Sequence, residues 1–181
     1  MMGNVVTSRL EPGAPDLRMS NGLTAVFFDV LSLAASRHAR TPWELRLAQW
    51  LVEHDAERSG LGVVGFDVSE LGWTLESFEA QRNFLLQLID AALAREGWER
   101  LPFQPLESSL FPVLTQFRER VASLPRQDIC VEESAWIPED PPACGRCEVH
   151  QVYLHALGCI LCNDAPLDAP PAEVPHRSSS R

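Results

Sequence analysis

Two C-x-x-C pairs near the end of the sequence carry its strongest chemical signal: Cys144 with Cys147, and Cys159 with Cys162. Thiolate sulfur is a good ligand for Zn²⁺, which takes four ligands in a tetrahedron at structural sites. A C-x-x-C turn brings two sulfurs to one ion, so two turns complete the tetrahedron. The spacing therefore predicts a structural zinc site with these four cysteines as ligands.

A second ligand set is open, because His150 follows Cys147 by three residues and forms a C-x-x-H pair with it. In this set His150 takes the place of Cys144, and the other three cysteines keep their role. The four-cysteine set is the preferred prediction because it uses two like turns. The alternative shortens the loop between the pairs without losing a ligand. His155, the other histidine of this segment, is predicted to lie on the surface.

Residues 144–162 resemble a zinc ribbon or zinc knuckle. The resemblance implies structural zinc and a two-stranded hairpin formed by residues 148–158, the eleven residues between the pairs. Gly158 and Asn163, which flank the second pair, suit the special backbone angles of such turns. The interval between the pairs is shorter than the usual one. The resemblance covers this segment alone and implies nothing about the rest of the chain.

Catalytic patterns find little support in the sequence. The zinc deaminase signature joins H-x-E to P-C-x-x-C, whereas this chain has H-x-x-E from His54 to Glu57 and places Pro142 one residue too far from Cys144. A thioredoxin-like site needs a strand before its C-x-x-C pair, and the prolines before Cys144 do not favour one. We therefore predict no catalytic residue, and no open metal position for water.

Hydrophobic periodicity and capping signals predict the elements that carry this segment. Helices are expected over residues 23–37, from a Thr41 cap to about Ser59-Gly60, from a Thr74 cap to Gly97, and from Ser109 to about residue 124. For residues 23–37 a buried strand is the alternative, because Phe27 and Phe28 are also compatible with one. Residues 61–68 are glycine-rich and are expected to form a short strand or an ordered loop. The predicted fold class is α+β and helix-dominated: a three- to four-helix domain with a small C-terminal two-stranded zinc ribbon.

The second helix has the clearest start signal. Thr41, Pro42 and Glu44 combine a capping box with proline at the first helical position. For the last helix, Pro112 is expected in the first turn, where a missing amide costs little. Four tryptophans occupy apolar positions of the helical pattern and are predicted to belong to the core: Trp43, Trp50, Trp73 and Trp98.

Changes of composition predict five segments along the chain. They are a flexible N-terminal segment (residues 1–20), a helical globular domain (21–125), an acidic proline-rich bridge (126–143), the zinc-binding ribbon (144–163) and a disordered tail (164–181).

The net charge of the chain indicates which kinds of partner it can bind. Asp and Glu number 25 against 15 Lys and Arg, for a formal charge of −10. Nucleic-acid binding rests on clustered positive charge, so this balance argues against it and suits a basic protein partner. No apolar run is long enough to span a membrane. Paired C-x-x-C motifs without an obvious export signal favour a reducing cytoplasm.

Three functions follow in order of preference. The first is a non-enzymatic zinc-binding protein that acts through protein–protein interaction, as an adaptor, a regulator, or a neutraliser of a basic partner such as a toxin. The alternative is a zinc-ribbon protein associated with nucleic acid. A metal-dependent enzyme comes third.

Overall fold

Four long helices dominate the described part of the protein in this computed structural model, which describes residues 5–7, 16–54, 65–129, 145–155 and 158–163. The helices are α1 (Asn21–His38), α2 (Pro42–Glu53), α3 (Phe78–Leu93), α4 (Glu107–Ser123) and the short α5 (Ile160–Asn163). The strands are β1 (Val5–Thr7), β2 (Leu17–Arg18) and β3 (Phe66–Asp67). Short 3-10 turns cover Val68–Glu70, Trp98–Arg100 and Arg126–Asp128. The predicted α+β, helix-dominated class is therefore confirmed.

Helix α1 lies at the centre of the packing. It contacts α2, α3 and α4, and every residue from 27 to 36 is buried. An unbroken buried stretch of this kind is typical of a helix surrounded on all sides. Ser20 caps the helix, since its Oγ accepts the Leu23 amide at 3.3 Å. The prediction of a buried helix over residues 23–37 is confirmed.

Helix α2 begins with the predicted capping box. The Thr41 hydroxyl accepts the Glu44 amide, the Glu44 carboxylate accepts the Thr41 amide at 2.9 Å, and Pro42 is the first helical residue. The helix ends at Glu53, earlier than the predicted end near residues 59–60. At the next residue, His54, the chain leaves the helix.

Helices α3 and α4 both start away from their predicted caps. Thr74 precedes α3 by a turn, where its amide and hydroxyl bond the side-chain amide of Gln81. Gly97 adopts a positive φ of 81° soon after this helix ends, as its predicted stop requires. Helix α4 starts two residues before Ser109, so Pro112 lies in its second turn and not in the first.

A small three-stranded sheet brings β1 and β2, before α1, together with β3, which follows α2. Its strand order is β2-β1-β3, with β1 antiparallel to β2 and parallel to β3. Val6 is wholly buried and pairs with Leu17 on one side and with Phe66 on the other. The segment predicted to be flexible, residues 1–20, thus contains two of the three strands. Two- and three-residue strands are too short to show periodicity, and their partner is distant in the sequence.

The four long helices and the segments that connect them, here called the helical body, enclose a core rich in aromatic rings. Trp43, Trp50 and Trp73 are buried as predicted, and Trp98 is half-buried. The remaining described C-terminal residues, 145–155 and 158–163, are here called the cysteine module. None of the helices in the described residues combines the length and apolarity needed to cross a bilayer. Most of the predicted bridge and the whole predicted tail lie outside the described residues.

Candidate metal centre

The first ligand turn of the cysteine module contains Cys147 and His150. The Cys147 amide donates to Val152 O and its carbonyl accepts from the Gln151 amide, both at 2.9 Å. Gln151 closes this turn with a positive φ of 58°. The turn brings the His150 amide to 3.4 Å from the Cys147 sulfur. Two candidate ligands therefore come from one tight turn.

The second turn supplies Cys159 and Cys162. His155 and Gly158 exchange two backbone hydrogen bonds of 2.9 Å, which close the chain on itself just before Cys159. Gly158 adopts a φ of 110°, which side-chain-bearing residues rarely do; the predicted need for glycine here is confirmed. Helix α5 follows at once, and the Cys162 amide bonds Cys159 O at 3.1 Å.

The two turns bring four ligand atoms together. The sulfurs of Cys147, Cys159 and Cys162 and a ring nitrogen of His150 all lie within 4.8 Å of one another. His150 Nδ1 is 3.7 Å from the Cys147 sulfur, 3.5 Å from Cys159 and 3.4 Å from Cys162. The sulfurs of Cys147 and Cys162 are 3.7 Å apart.

These separations match a zinc tetrahedron. Zinc lies about 2.3 Å from sulfur and about 2.0–2.1 Å from imidazole nitrogen, so the edges of its tetrahedron measure roughly 3.3–3.8 Å. The three distances from His150 Nδ1 and the distance between the sulfurs of Cys147 and Cys162, 3.4–3.7 Å, lie in that interval, and the remaining pairs lie within 4.8 Å. A Cys₃His cluster that can hold a metal ion is thus present, and its donor set is consistent with structural zinc.

Of the five predicted ligand candidates, the described structure brings four together. The fifth, Cys144, lies outside the described residues, so the preferred four-cysteine set stays a prediction. His155 does not belong to the cluster. Its side chain is only 5% exposed, and the prediction that it lies on the surface was wrong. The module packs on the helical body, so one side of it is covered.

The thiols of the cluster differ in acidity. Burial raises the pKa of Cys159 to about 12. Burial, with a hydrogen bond to Cys147, also raises the pKa of Cys162. For Cys147, burial acts in the same direction, but hydrogen bonds from the backbone amides of His150 and Val149 and with the sulfurs of Cys159 and Cys162 together outweigh it and leave the pKa lowered. Since metal binding requires thiolates, an ion must displace protons, and its affinity falls as pH falls.

His150 is suited to bind as a neutral ring. Burial, and then the positive charge of Arg100, lower its pKa below 6.5. A neutral imidazole has a free lone pair for a metal at neutral pH. Arg100 belongs to the 3-10 turn before α4, so this effect on the site comes from the helical body.

Three side chains of the helical body hydrogen-bond the backbone of the module. Ser36 Oγ accepts the Tyr153 amide at 3.1 Å, and Gln49 Nε2 donates to Leu154 O at 3.2 Å. Arg100 Nη1 donates to His150 O at 3.2 Å. The sequence did not single out any of these three residues. They stand 50 to 117 positions from their partners, so no local motif contains them.

The other residues considered for chemistry have structural surroundings. His54 packs against Trp50 and Phe28, with ring centroids 3.8 and 5.7 Å away. Its predicted partner in the deaminase pattern, Glu57, lies outside the described residues.

Comparison with known proteins adds no relative: neither a family model, nor a curated protein, nor a solved structure matches this chain.

Proposed function

We propose that this chain is a non-enzymatic zinc protein in which Cys147, His150, Cys159 and Cys162 hold a structural ion. The observation that carries the proposal is the approach of these four ligand atoms to within 4.8 Å of one another. Four of the separations, at 3.4–3.7 Å, fit the edges of a zinc tetrahedron. With four protein ligands the tetrahedron is closed. No position is then left for a reactive water, so the ion stabilises structure and performs no catalysis.

We further propose that the module is a zinc ribbon with a very short hairpin. Support comes from the antiparallel bridge between Arg146 and Tyr153 and from the bonds that flank it. Leu154 donates its amide to Gly145 O at 2.9 Å, next to the bond between Cys147 and Val152. In this arrangement the hairpin presents the first ligand turn to the second.

The ligand set is tested by the zinc content of the full chain, with Cys144→Ser compared with His150→Ala. The parent and Cys144→Ser should carry stoichiometric zinc, whereas His150→Ala should lose most of it. Cys159→Ser serves as the positive control for loss, because both ligand sets contain it. Loss in Cys144→Ser with retention in His150→Ala would establish the four-cysteine set instead. A metal-free parent would overturn the zinc proposal.

Cobalt substitution tests the donor atoms directly. Tetrahedral Co²⁺ with three sulfurs and one nitrogen absorbs differently from Co²⁺ with four sulfurs, so the parent spectrum distinguishes the two sets. The spectrum of Cys144→Ser should match that of the parent. A changed spectrum in this variant would place Cys144 in the coordination sphere.

We propose that the protein acts in the cytoplasm by binding another protein with a basic surface. The support is the formal charge of −10 together with a metal site that has no catalytic position. In this proposal residues 21–125 form the globular domain, 126–143 the acidic bridge and 164–181 the tail. Affinity purification from native cells should recover a stoichiometric basic protein that salt releases. Recovery of DNA or RNA, with binding that falls steeply as salt rises, would favour the nucleic-acid alternative.

A further inference from the structure

The cysteine module and the helical body share one apolar cluster. Leu33 of α1 and Val52 of α2 contribute from the body, and both are buried. The module contributes Cys147, Val152, Cys159, Ile160 and Leu161. Two of the metal ligands are therefore also members of the packing between module and body. An interaction that fixes the position of these ligands therefore also fixes the position of the module on the helical body.

Polar contacts across the same boundary fix the position of the hairpin. Ser36 and Gln49 are almost fully buried, at 1% and 3% exposure. Each bonds a backbone group of the module, at Tyr153 and at Leu154. A buried polar group needs such a partner, because leaving it unpaired costs free energy. These contacts therefore favour one position of the hairpin on the body over positions in which Ser36 and Gln49 would lose their partners.

Arg100 adds a charge to this boundary. A zinc ion with three thiolates and one neutral imidazole carries a net charge of −1. The Arg100 guanidinium, bonded to His150 O at 3.2 Å, lies beside that charge. The contact is exposed, so the attraction between the opposite charges is screened by salt. The loaded site is nonetheless stabilised by a residue of the body that does not bind the ion.

From these contacts we infer that metal binding is coupled to the packing of the cysteine module on α1 and α2, here called seating, so that the two form one equilibrium. The ion holds the module over Leu33 and Val52, and loss of the ion releases the module and uncovers both side chains. Ser36, Gln49 and Arg100 act as positioning residues of the metal site. The inference rests on the proposed zinc site. Because coupling is reciprocal, the ion favours seating by the same factor as seating favours binding of the ion. Changes in the body that weaken seating should therefore also weaken metal binding.

Two leucines of one helix provide a matched test of the packing. Leu33 faces the module, whereas Leu31 lies in the core of the body, and both are buried. Zinc affinity is measured on the full chain by competition with a chromophoric chelator. Leu33→Ala should weaken zinc binding by at least about tenfold. Leu31→Ala should leave the affinity of the folded protein within about twofold of the parent, since Leu31 belongs to the apolar cluster of the body and not to the one shared with the module.

Arg100 provides a second test that does not threaten the core, because its side chain is 40% exposed. Arg100→Gln should weaken zinc binding about three- to tenfold, and more in low salt. Arg100→Lys should recover most of the loss, since it restores the charge. Arg126→Gln, at an exposed arginine in the last 3-10 turn, is the matched control and should bind as the parent does. Equal affinities for Arg100→Gln and Arg126→Gln would count against the coupling.

Hydrogen exchange shows whether the module detaches from α1 and α2. The Tyr153 amide is the direct reporter, because it donates across the boundary to Ser36 Oγ. Removal of zinc by a chelator should speed its exchange by at least about tenfold, while amides in the middle of α3 keep their protection. A parent that carries no zinc overturns the site and the coupling together. Bound zinc with parental affinity in Leu33→Ala and unchanged Tyr153 exchange overturns the coupling and leaves the site intact.

Discussion

The helical body and the cysteine module are stabilised in different ways. The body buries large rings that contact each other edge to face, such as Phe27 and Phe117 at 5.2 Å between centroids. Its four long helices also satisfy most of their own backbone groups. The module has one four-residue helix and two isolated bridges among its described residues. Its own buried apolar side chains are few: Val152, Ile160 and Leu161.

The difference follows from the amount of apolar surface each region can bury. A small segment does not bury enough to offset the entropy of ordering its chain, and a metal ion supplies the missing free energy. Structural zinc contributes about 10–16 kcal/mol in finger peptides. The module also uses Leu33 and Val52 of the body as part of its core. The body should therefore depend on packing, and the module on both metal and contact with the body.

The largest effect is expected at Trp73, in the core of the body. The ring is 1% exposed, stacks on Trp43 at 5.5 Å and donates its Nε1 hydrogen to Val68 O at 2.6 Å. Trp73→Ala should lower the free energy of unfolding by about 3–5 kcal/mol, measured by urea denaturation. Leu106→Ala, at a 68% exposed side chain, should change it by less than about 0.5 kcal/mol. Similar losses in both variants would contradict a core centred on aromatic packing.

A smaller effect, confined to the module, is expected at Val152. Its side chain is wholly buried, and Val152→Ala removes two methyl groups worth about 1–2 kcal/mol. Zinc affinity should fall about tenfold, whereas the unfolding midpoint of the metal-free chain should stay the same. Val149→Ala is the control in the same segment, because Val149 is 51% exposed. A lowered midpoint without zinc would mean that the module contributes to the body even when it is metal-free.

The capping box of α2 should show the reverse pattern. Thr41→Ala removes the hydroxyl that accepts the Glu44 amide and should cost about 1 kcal/mol of unfolding free energy. Thr41→Ser keeps an acceptor and should cost less. Zinc affinity should not change, because Thr41 lies at the end of α2 far in sequence from Val52. A drop in zinc affinity would show that the whole of α2 moves with the module.

The smallest effect is a pH dependence from His54. Burial lowers its pKa below 6.5, against a weaker opposing effect of the bond to Trp50 O. Below pH 6.5 the unfolded chain binds a proton that the folded chain does not. Stability is therefore fully present above pH 6.5 and is lost as pH falls toward the folded pKa. In metal-free protein, where zinc release cannot interfere, His54→Gln should flatten this dependence. The same pH profile in both proteins would assign the acid sensitivity to other groups.

Prediction from sequence succeeded for the fold where the signal was local. The Thr41 and Glu44 box and the apolar run of α1 are contained within single helices, and both are confirmed. Helix starts were displaced where the chain forms its first bonds outside the helix. Thr74, for example, bonds Gln81 and does not cap α3. A short strand was one of the two expectations for residues 61–68, and β3 lies there. The pairing of β3 with β1 was beyond reach, since it joins residues sixty positions apart, as the bond from Thr7 to Asp67 shows.

For the metal site, the spacing of the cysteines and of His150 was sufficient to nominate every member of the Cys₃His cluster. It was insufficient to choose between Cys144 and His150, because both stand three residues from Cys147 and both side chains are good zinc ligands. Local spacing describes which atoms one turn can bring together. It does not describe how that turn faces the next one.

The sequence by itself determined the chemistry of this protein: soft ligands in two tight turns, beside helices with enough apolar residues to form a core. Only the tertiary structure decided that the two turns meet on α1 and α2, over Leu33 and Val52. It also decided that Ser36, Gln49 and Arg100 support the site. The physical reason is that ligand type and turn geometry are properties of a few neighbouring residues. The contacts that seat the module depend instead on how distant helices pack.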